Sequence, residues 1–311
     1  MEFSVLTEQM KIIATLMVIG FIWKKSKIFD NQLVDSLSAI MAKLVLPLMI
    51  CTMIGSVSRS ELAVGGRVFI SALIIYIIIS FGGKAISRFY RVSGDKKGMH
   101  VLLQFYGNSG FIGIPLITSV FGEKAGIVTA AYLIVDTFFY WVVGPYIVGN
   151  KLSLKKFLSP ITVSIFLGII ITLLPVSFNG NIIWDTAKNV GGTCKYFASI
   201  YIGMVIGRMD LKKVRENIYS LTAAPVKLIL LPLLAYLVFG RTGFLSGDML
   251  LMFVILSATP CGMALPIVAR VADADTECAE YASVGVTIST VLCLVTLPLM
   301  VYLTMMMEKM V

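Results

Sequence analysis

The sequence predicts an all-α polytopic membrane protein: ten transmembrane helices in two inverted repeats of five. Three observations carry this. Hydrophobic residues make up 58% of the chain, charged residues 14%, and mean hydropathy is +0.92, whereas soluble domains carry about 25% charged residues. Apolar runs of roughly 20 residues, the length that crosses a bilayer, follow one another from end to end. Two of those runs are broken by glycine, proline and polar residues at matching places in the two halves.

The ten runs fall near 5–23, 34–56, 66–88, 98–121, 124–148, 157–176, 184–207, 218–240, 247–270 and 278–306. The first opens on "MEFSVLTEQMK", has no basic leader and is followed by no small-residue cleavage site, so it is expected to stay in the mature chain. Its loop carries Lys24, Lys25 and Lys27. The loop after span 3 carries Arg88, Arg91, Lys96 and Lys97, and the loop after span 5 carries Lys151, Lys155 and Lys156. Arg208, Lys212, Lys213 and Arg215 follow span 7. The intervening loops hold few cations, among them Arg59, Arg67, Lys124 and Arg241. Alternate loops therefore face the cytoplasm and both termini are expected outside it. The net charge of +9 is topology by this reading, and no nucleic-acid partner is expected. Cys51, Cys194, Cys261 and Cys293 lie in apolar runs and Cys278 near a span end; no spacing suggests a disulfide framework or a metal site.

Span 4 contains "GNSGFIGIPL" (107–116) and span 9 contains "SATPCGMALPIVA" (257–269). Setting Pro115 against Pro266 gives an offset of 151 (266 − 115), which pairs Asn108 with Thr259 and Gly110 with Cys261. Five spans per half is an odd number, so the second half enters from the opposite side. Paired interrupted helices in inverted repeats point to the binding site of a secondary transporter. The broken ends carry unpaired N–H and C=O groups with partial charge, suited to an ion or a carboxylate. The plainer alternative is a pair of proline kinks that only shape packing; two breaks at repeat-matched positions, each with polar neighbours, favour the site.

"GNSGFIGIPL", "ATPCGMALPIVA" and "ISTVLCLVTLPL" in span 10 resemble the auxin efflux carrier family, and the likeness runs over nearly the whole chain in span order and length. That family holds plant auxin exporters and many bacterial permeases. The resemblance implies a sodium/proton-antiporter-like fold in which helices 4 and 9 cross at their breaks. Scaffold helices would lie in 1–63 and 151–214 and transport-domain helices in 64–150 and 215–311, with a homodimer formed through scaffold helices 2 and 7. It also implies an elevator mechanism, the plasma membrane as location and small organic anions as substrates, auxin in plants and carboxylates such as malate or malonate in bacteria. The implied substrate site gathers Asn108, Ser109, Gly110, Pro115, Thr259, Pro260, Cys261, Gly262 and Pro266. At span 7 the sequence departs from the family: "CKYFASIYIG" places Tyr196, beside Lys195, where members often carry proline.

Charges deep in a membrane are functional candidates. Lys43 lies nine residues into span 2, about 14 Å deep at the helical rise, and Lys195 lies at similar depth in span 7. Both are candidates to draw an anion; the alternative is that each snorkels to an interface or pairs structurally. Asp136 falls mid-span among aromatic residues, where a carboxyl group suits reversible protonation. It is the proton-coupling candidate, or else a buried acid held for structure. Gln104 and Tyr140 are possible pocket-lining groups. Glu277 and Glu280 are read as solvated acids at a helix start, and His100 as an incidental loop residue. No cofactor is expected beyond coupling to H⁺ or Na⁺.

Other classes fare worse. One histidine cannot supply a zinc-protease helix, no nucleophile elbow or phosphate-binding loop is present, and Asp136 has no mid-span aspartate partner. An enzyme is therefore not expected. A channel differs from a carrier only in whether both gates open together, and a receptor would need an effector domain that the sequence does not show. A cation-coupled symporter or a cation/proton antiporter on the same fold is the alternative transport reading.

Overall fold

A computed structural model describes residues 3–27, 30–87, 92–149, 158–174, 178 and 180–309. The loop cations Arg88, Arg91, Lys151, Lys155 and Lys156 lie outside them. Every regular element among the described residues is a helix. Six stretches are long and apolar enough to cross a membrane: Ser4–Lys25, Asn31–Gly55, Gly65–Ala85, Ser109–Gly149, Ile218–Gly240 and Thr276–Glu308. Pro160–Leu173 and Gly247–Ser257 are shorter apolar helices. The protein is thus a helical, multi-pass membrane protein.

In chain order, α1 is Phe3–Lys25, α2 Asn31–Ile40, α3 Leu46–Gly55, α4 Arg59–Ser87 and α5 Asp95–Leu103. After a break come α6 Ile114–Phe121, α7 Ala125–Phe138 and α8 Gly144–Gly149. Then follow α9 Pro160–Leu173, α10 Ile182–Gly192, α11 Cys194–Gly207, α12 Leu211–Glu216, α13 Ala223–Pro225 and α14 Leu231–Ala235. The chain closes with α15 Gly247–Ser257, a second break, α16 Leu265–Val271 and α17 Thr276–Lys309. Local chemistry sets several ends. Lys27, at φ 58°, turns the chain out of α1. Asp30 then caps α2 by accepting from the Leu33 N–H at 2.7 Å, satisfying a donor that has no helical partner.

One device recurs. The five-residue π turns Met41–Val45, Ser109–Gly113, Phe139–Val143 and Val226–Leu230 each precede an X-Pro pair, with proline at 47, 115, 145 and 232. Proline removes one helical hydrogen bond and collides with the carbonyl four residues earlier. That carbonyl belongs to Lys43, Phe111, Trp141 and Leu228 in turn, the central residue of each π turn. Widening the helix there makes room for the ring, so the helix passes the proline instead of ending at it. This corrects the expected extent of the break in span 4. The chain is already helical from Ser109, Pro115 sits in the first turn of α6, and the irregular residues are 104–108.

The chain forms two compact units. The first comprises Met1–Gly66, Gly110–Ile134 and Leu158–Arg208. Within it α1 packs along α11, and α9 and α10 pack on α3. The α1–α11 crossing depends on the absence of side chains: a Cβ on Gly20 would lie 2.0 Å from the Ile200 carbonyl oxygen, and one on Gly203 1.9 Å from that of Met17. The second unit comprises Arg67–Ser109, Val135–Phe157 and Met209–Val311. There α17 packs against α5, α15 and α16, and α5 lies against α8. His100 is not a loop residue. The helix begins at Asp95, which places His100 inside α5, buried, with its Nδ1 2.8 Å from the Tyr281 hydroxyl of α17. Glu277 pairs with Lys96 at 2.7 Å and Glu280 pairs with Lys213.

Candidate functional site

The second unit joins the two breaks. α5 ends at Leu103, ahead of Gly107, a poor helix former, and α15 ends at Ser257 ahead of Thr259–Pro260, where proline lacks the N–H a helix needs. The two irregular stretches satisfy each other. The Asn108 N–H donates to the Pro260 carbonyl at 2.7 Å, and the Gly262 N–H donates to the Tyr106 carbonyl at 2.9 Å, around a bridge between Gly107 and Cys261. Cys261 is fixed further: its N–H donates to Ser289 Oγ at 3.1 Å and its thiol to the Leu103 carbonyl at 3.0 Å. Backbone groups that lipid could not satisfy are thereby paired.

Around the bridge lies a polar set. The Thr259 hydroxyl donates to the Leu256 carbonyl at 2.7 Å. Asn108 and Ser109 are buried, and Asn108 Nδ2 and Ser109 Oγ have no hydrogen-bond partner among the described residues. Gln104, also buried, has no partner for either side-chain amide atom among the described residues. Buried polar groups are nearly always bonded, so these unpartnered amide and hydroxyl groups make the bridged breaks the candidate site.

The cation of this site is Lys227, from the π turn Val226–Leu230. Its side chain is 0% exposed and its Nζ donates to the Ser257 carbonyl at 2.5 Å. A Cβ added to Gly107 would sit 3.3 Å from Lys227 Nζ, 3.3 Å from Ser109 Oγ and 2.4 Å from Thr259 Oγ1, so the three groups close on one point. Asp136 is buried and accepts a hydrogen bond from the Tyr76 hydroxyl. The Tyr76 ring packs in turn against Phe105, Tyr106 and Phe139, its centroid 5.1 Å from that of Phe139. Tyr106 donates to the Phe139 carbonyl, and Tyr140 stacks edge-on to Tyr106 at 4.8 Å.

Of the residues the sequence singled out, Asn108, Ser109, Thr259, Pro260, Cys261, Gly262, Tyr140 and Asp136 fall in this unit, as does Pro266 in the first turn of α16. Gly110, Pro115, Lys43 and Lys195 belong to the first unit. Lys43 is exposed there. Lys195 lies over the Tyr196 ring, 4.9 Å from its centroid, and with Pro115 lines a cavity of about 410 Å³. Met49 and Met53 give that cavity an apolar wall, Thr52, Thr118 and Ser119 give it hydroxyls, and Lys188 there pairs with Glu123 at 3.1 Å. The sequence reading missed Lys227 and Tyr76. The signal was present: Lys227 lies nine residues into its apolar run, as Lys43 does, and Lys227 and Tyr76 are 151 apart (227 − 76), the repeat offset.

A model of the family described as membrane transport protein matches residues 5–152 and, a second time, residues 145–301. The chain belongs to this family, that of the auxin efflux carriers. As a family member it is a membrane transporter. The two matches overlap at 145–152, and each contains one break. No curated protein matches the chain.

Proposed function

We propose that this auxin efflux carrier family member is a secondary transporter of small organic anions, auxin-like or mono- and dicarboxylates, held at the bridged breaks of helices 4 and 9. The observation that carries the reading is the convergence there of a buried ammonium with unpartnered amide and hydroxyl groups. Lys227 has three N–H donors and one hydrogen-bond partner among the described residues, the Ser257 carbonyl. Its two spare donors, with Asn108 Nδ2 and Ser109 Oγ, can receive carboxylate oxygens by charge-assisted bonds.

The wider reading has ten spans in two inverted repeats on a sodium/proton-antiporter-like fold, working by elevator-type alternating access in the plasma membrane. Homodimerisation through helices 2 and 7 and extracytoplasmic termini complete it. Asp136, buried against Tyr76, supports coupling to protons. It also supports the second reading, a cation-coupled symporter or cation/proton antiporter on the same fold. The test is reconstituted uptake of labelled malonate and indole-3-acetate under imposed pH and sodium gradients. Saturable, counter-flow-competent uptake is expected. Ion currents far above carrier turnover would refute the carrier and indicate a channel.

A further inference from the structure

A helix that stops inside a membrane leaves its last carbonyls without helical partners, at the negative end of its dipole. In sodium-coupled carriers with interrupted helices, such carbonyls coordinate the sodium ion. The end of α15 is occupied differently. The Ser257 carbonyl accepts from Lys227 Nζ at 2.5 Å, the Leu256 carbonyl from Thr259 Oγ1 at 2.7 Å, and the Ala258 carbonyl from the Cys293 thiol at 3.7 Å. Lys227 forms no ion pair among the described residues; Asp136 bonds to Tyr76 instead. A buried ammonium without a paired anion is costly. Its position is therefore set by the carbonyl it holds and by the room Gly107 leaves, where a side chain would crowd Nζ.

We propose that Lys227 is a built-in cation: it fills, at the end of α15, the place a coupling sodium takes in other carriers, so the anion is bound without sodium. The ammonium brings one positive charge on a tether that cannot dissociate. The site therefore presents charge to an incoming carboxylate in every cycle, whatever the sodium gradient. This rests on the carrier reading above and narrows its coupling ion.

The test uses the full chain, in detergent and in liposomes, with sodium chloride against N-methylglucamine chloride at equal ionic strength. For the wild type, melting temperature and malonate or indole-3-acetate uptake are expected to be equal in the two salts. Lys227→Ser, which vacates the carbonyl, is expected to take up anion about tenfold or more slowly, the loss of a hydrogen bond to a charged group. It is also expected to gain a melting temperature that rises with sodium, as binding to the folded state requires. A saturable sodium-dependent rise in wild-type melting temperature or uptake would overturn the proposal. So would wild-type uptake, or sodium indifference, in Lys227→Ser. If that variant does not fold, the wild-type sodium titration decides alone. Absence of all anion uptake by the wild type overturns the carrier reading, while its melting in the two salts still tests the cation.

Discussion

Gly107→Ala is the sharpest perturbation of the bridged breaks. The added methyl would lie 2.4 Å from Thr259 Oγ1, where ordinary contact begins at 3.4 Å, so about 1.0 Å of movement is required (3.4 − 2.4). Backbone cannot yield cheaply, because the neighbouring Asn108 N–H is bonded to Pro260 and the Tyr106 carbonyl to Gly262. Thr259 must move, and moving it breaks its 2.7 Å bond to Leu256. Overpacking together with one lost buried hydrogen bond puts the destabilisation at about 2–4 kcal/mol. The same methyl crowds Lys227 Nζ, so uptake should fall as well. Thermal unfolding at one fixed heating rate, since such unfolding is often irreversible, measures the first effect and labelled-anion uptake the second. Thr259→Ala removes the obstructing hydroxyl, so the double variant should recover about 1 kcal/mol relative to additivity. A Gly107→Ala protein that melts with the wild type, or a double variant with no recovery, would refute the crowding argument.

Other outcomes follow from the same contacts. Asn108→Ala should keep its melting temperature while binding carboxylates about 10–100-fold more weakly; wild-type uptake would remove the breaks as the site. Asp136→Asn should abolish any pH dependence of uptake, and an unchanged pH profile would exclude it as the coupling group. Gly203→Ala, forced against the Met17 carbonyl, should lose about 1–3 kcal/mol. Gly66→Ala, with open space around its Cβ, should be neutral or gain up to about 1 kcal/mol; equal melting shifts in these two variants would contradict the packing. Lys195→Gln should raise KM at low ionic strength and leave the saturated rate alone, which a concentration series of labelled malonate checks.

Hydropathy and repeat offset made much of this legible. Apolar runs betray membrane helices because lipid leaves few alternatives to helix, and the polar breaks stand out against them. The exact place of a break was less legible. "GNSGFIGIPL" reads as uniformly poor helix, yet only Gly107 and Asn108 of it are irregular, because the π turn at Ser109–Gly113 absorbs Pro115. Depth along a span also says nothing about direction. Lys43 and Lys227 lie equally deep in their runs, but one is exposed and the other is 0% exposed against Ser257. His100 was misplaced for a related reason: polar residues at the start of α5 look like loop until Tyr281 supplies a partner.

The π turns have a consequence for how this chain tolerates change. Each holds one residue more than an α-helical turn would, which rotates everything beyond it by about 100°. The prolines at 47, 115, 145 and 232 thus act as aiming devices that fix which side of each helix the flanking residues present. A single-residue deletion inside such a turn, paired with replacement of its proline, would restore plain helix and re-aim a whole face. Relatives with and without these prolines can therefore differ by one residue in length and by a full face in what they point inward.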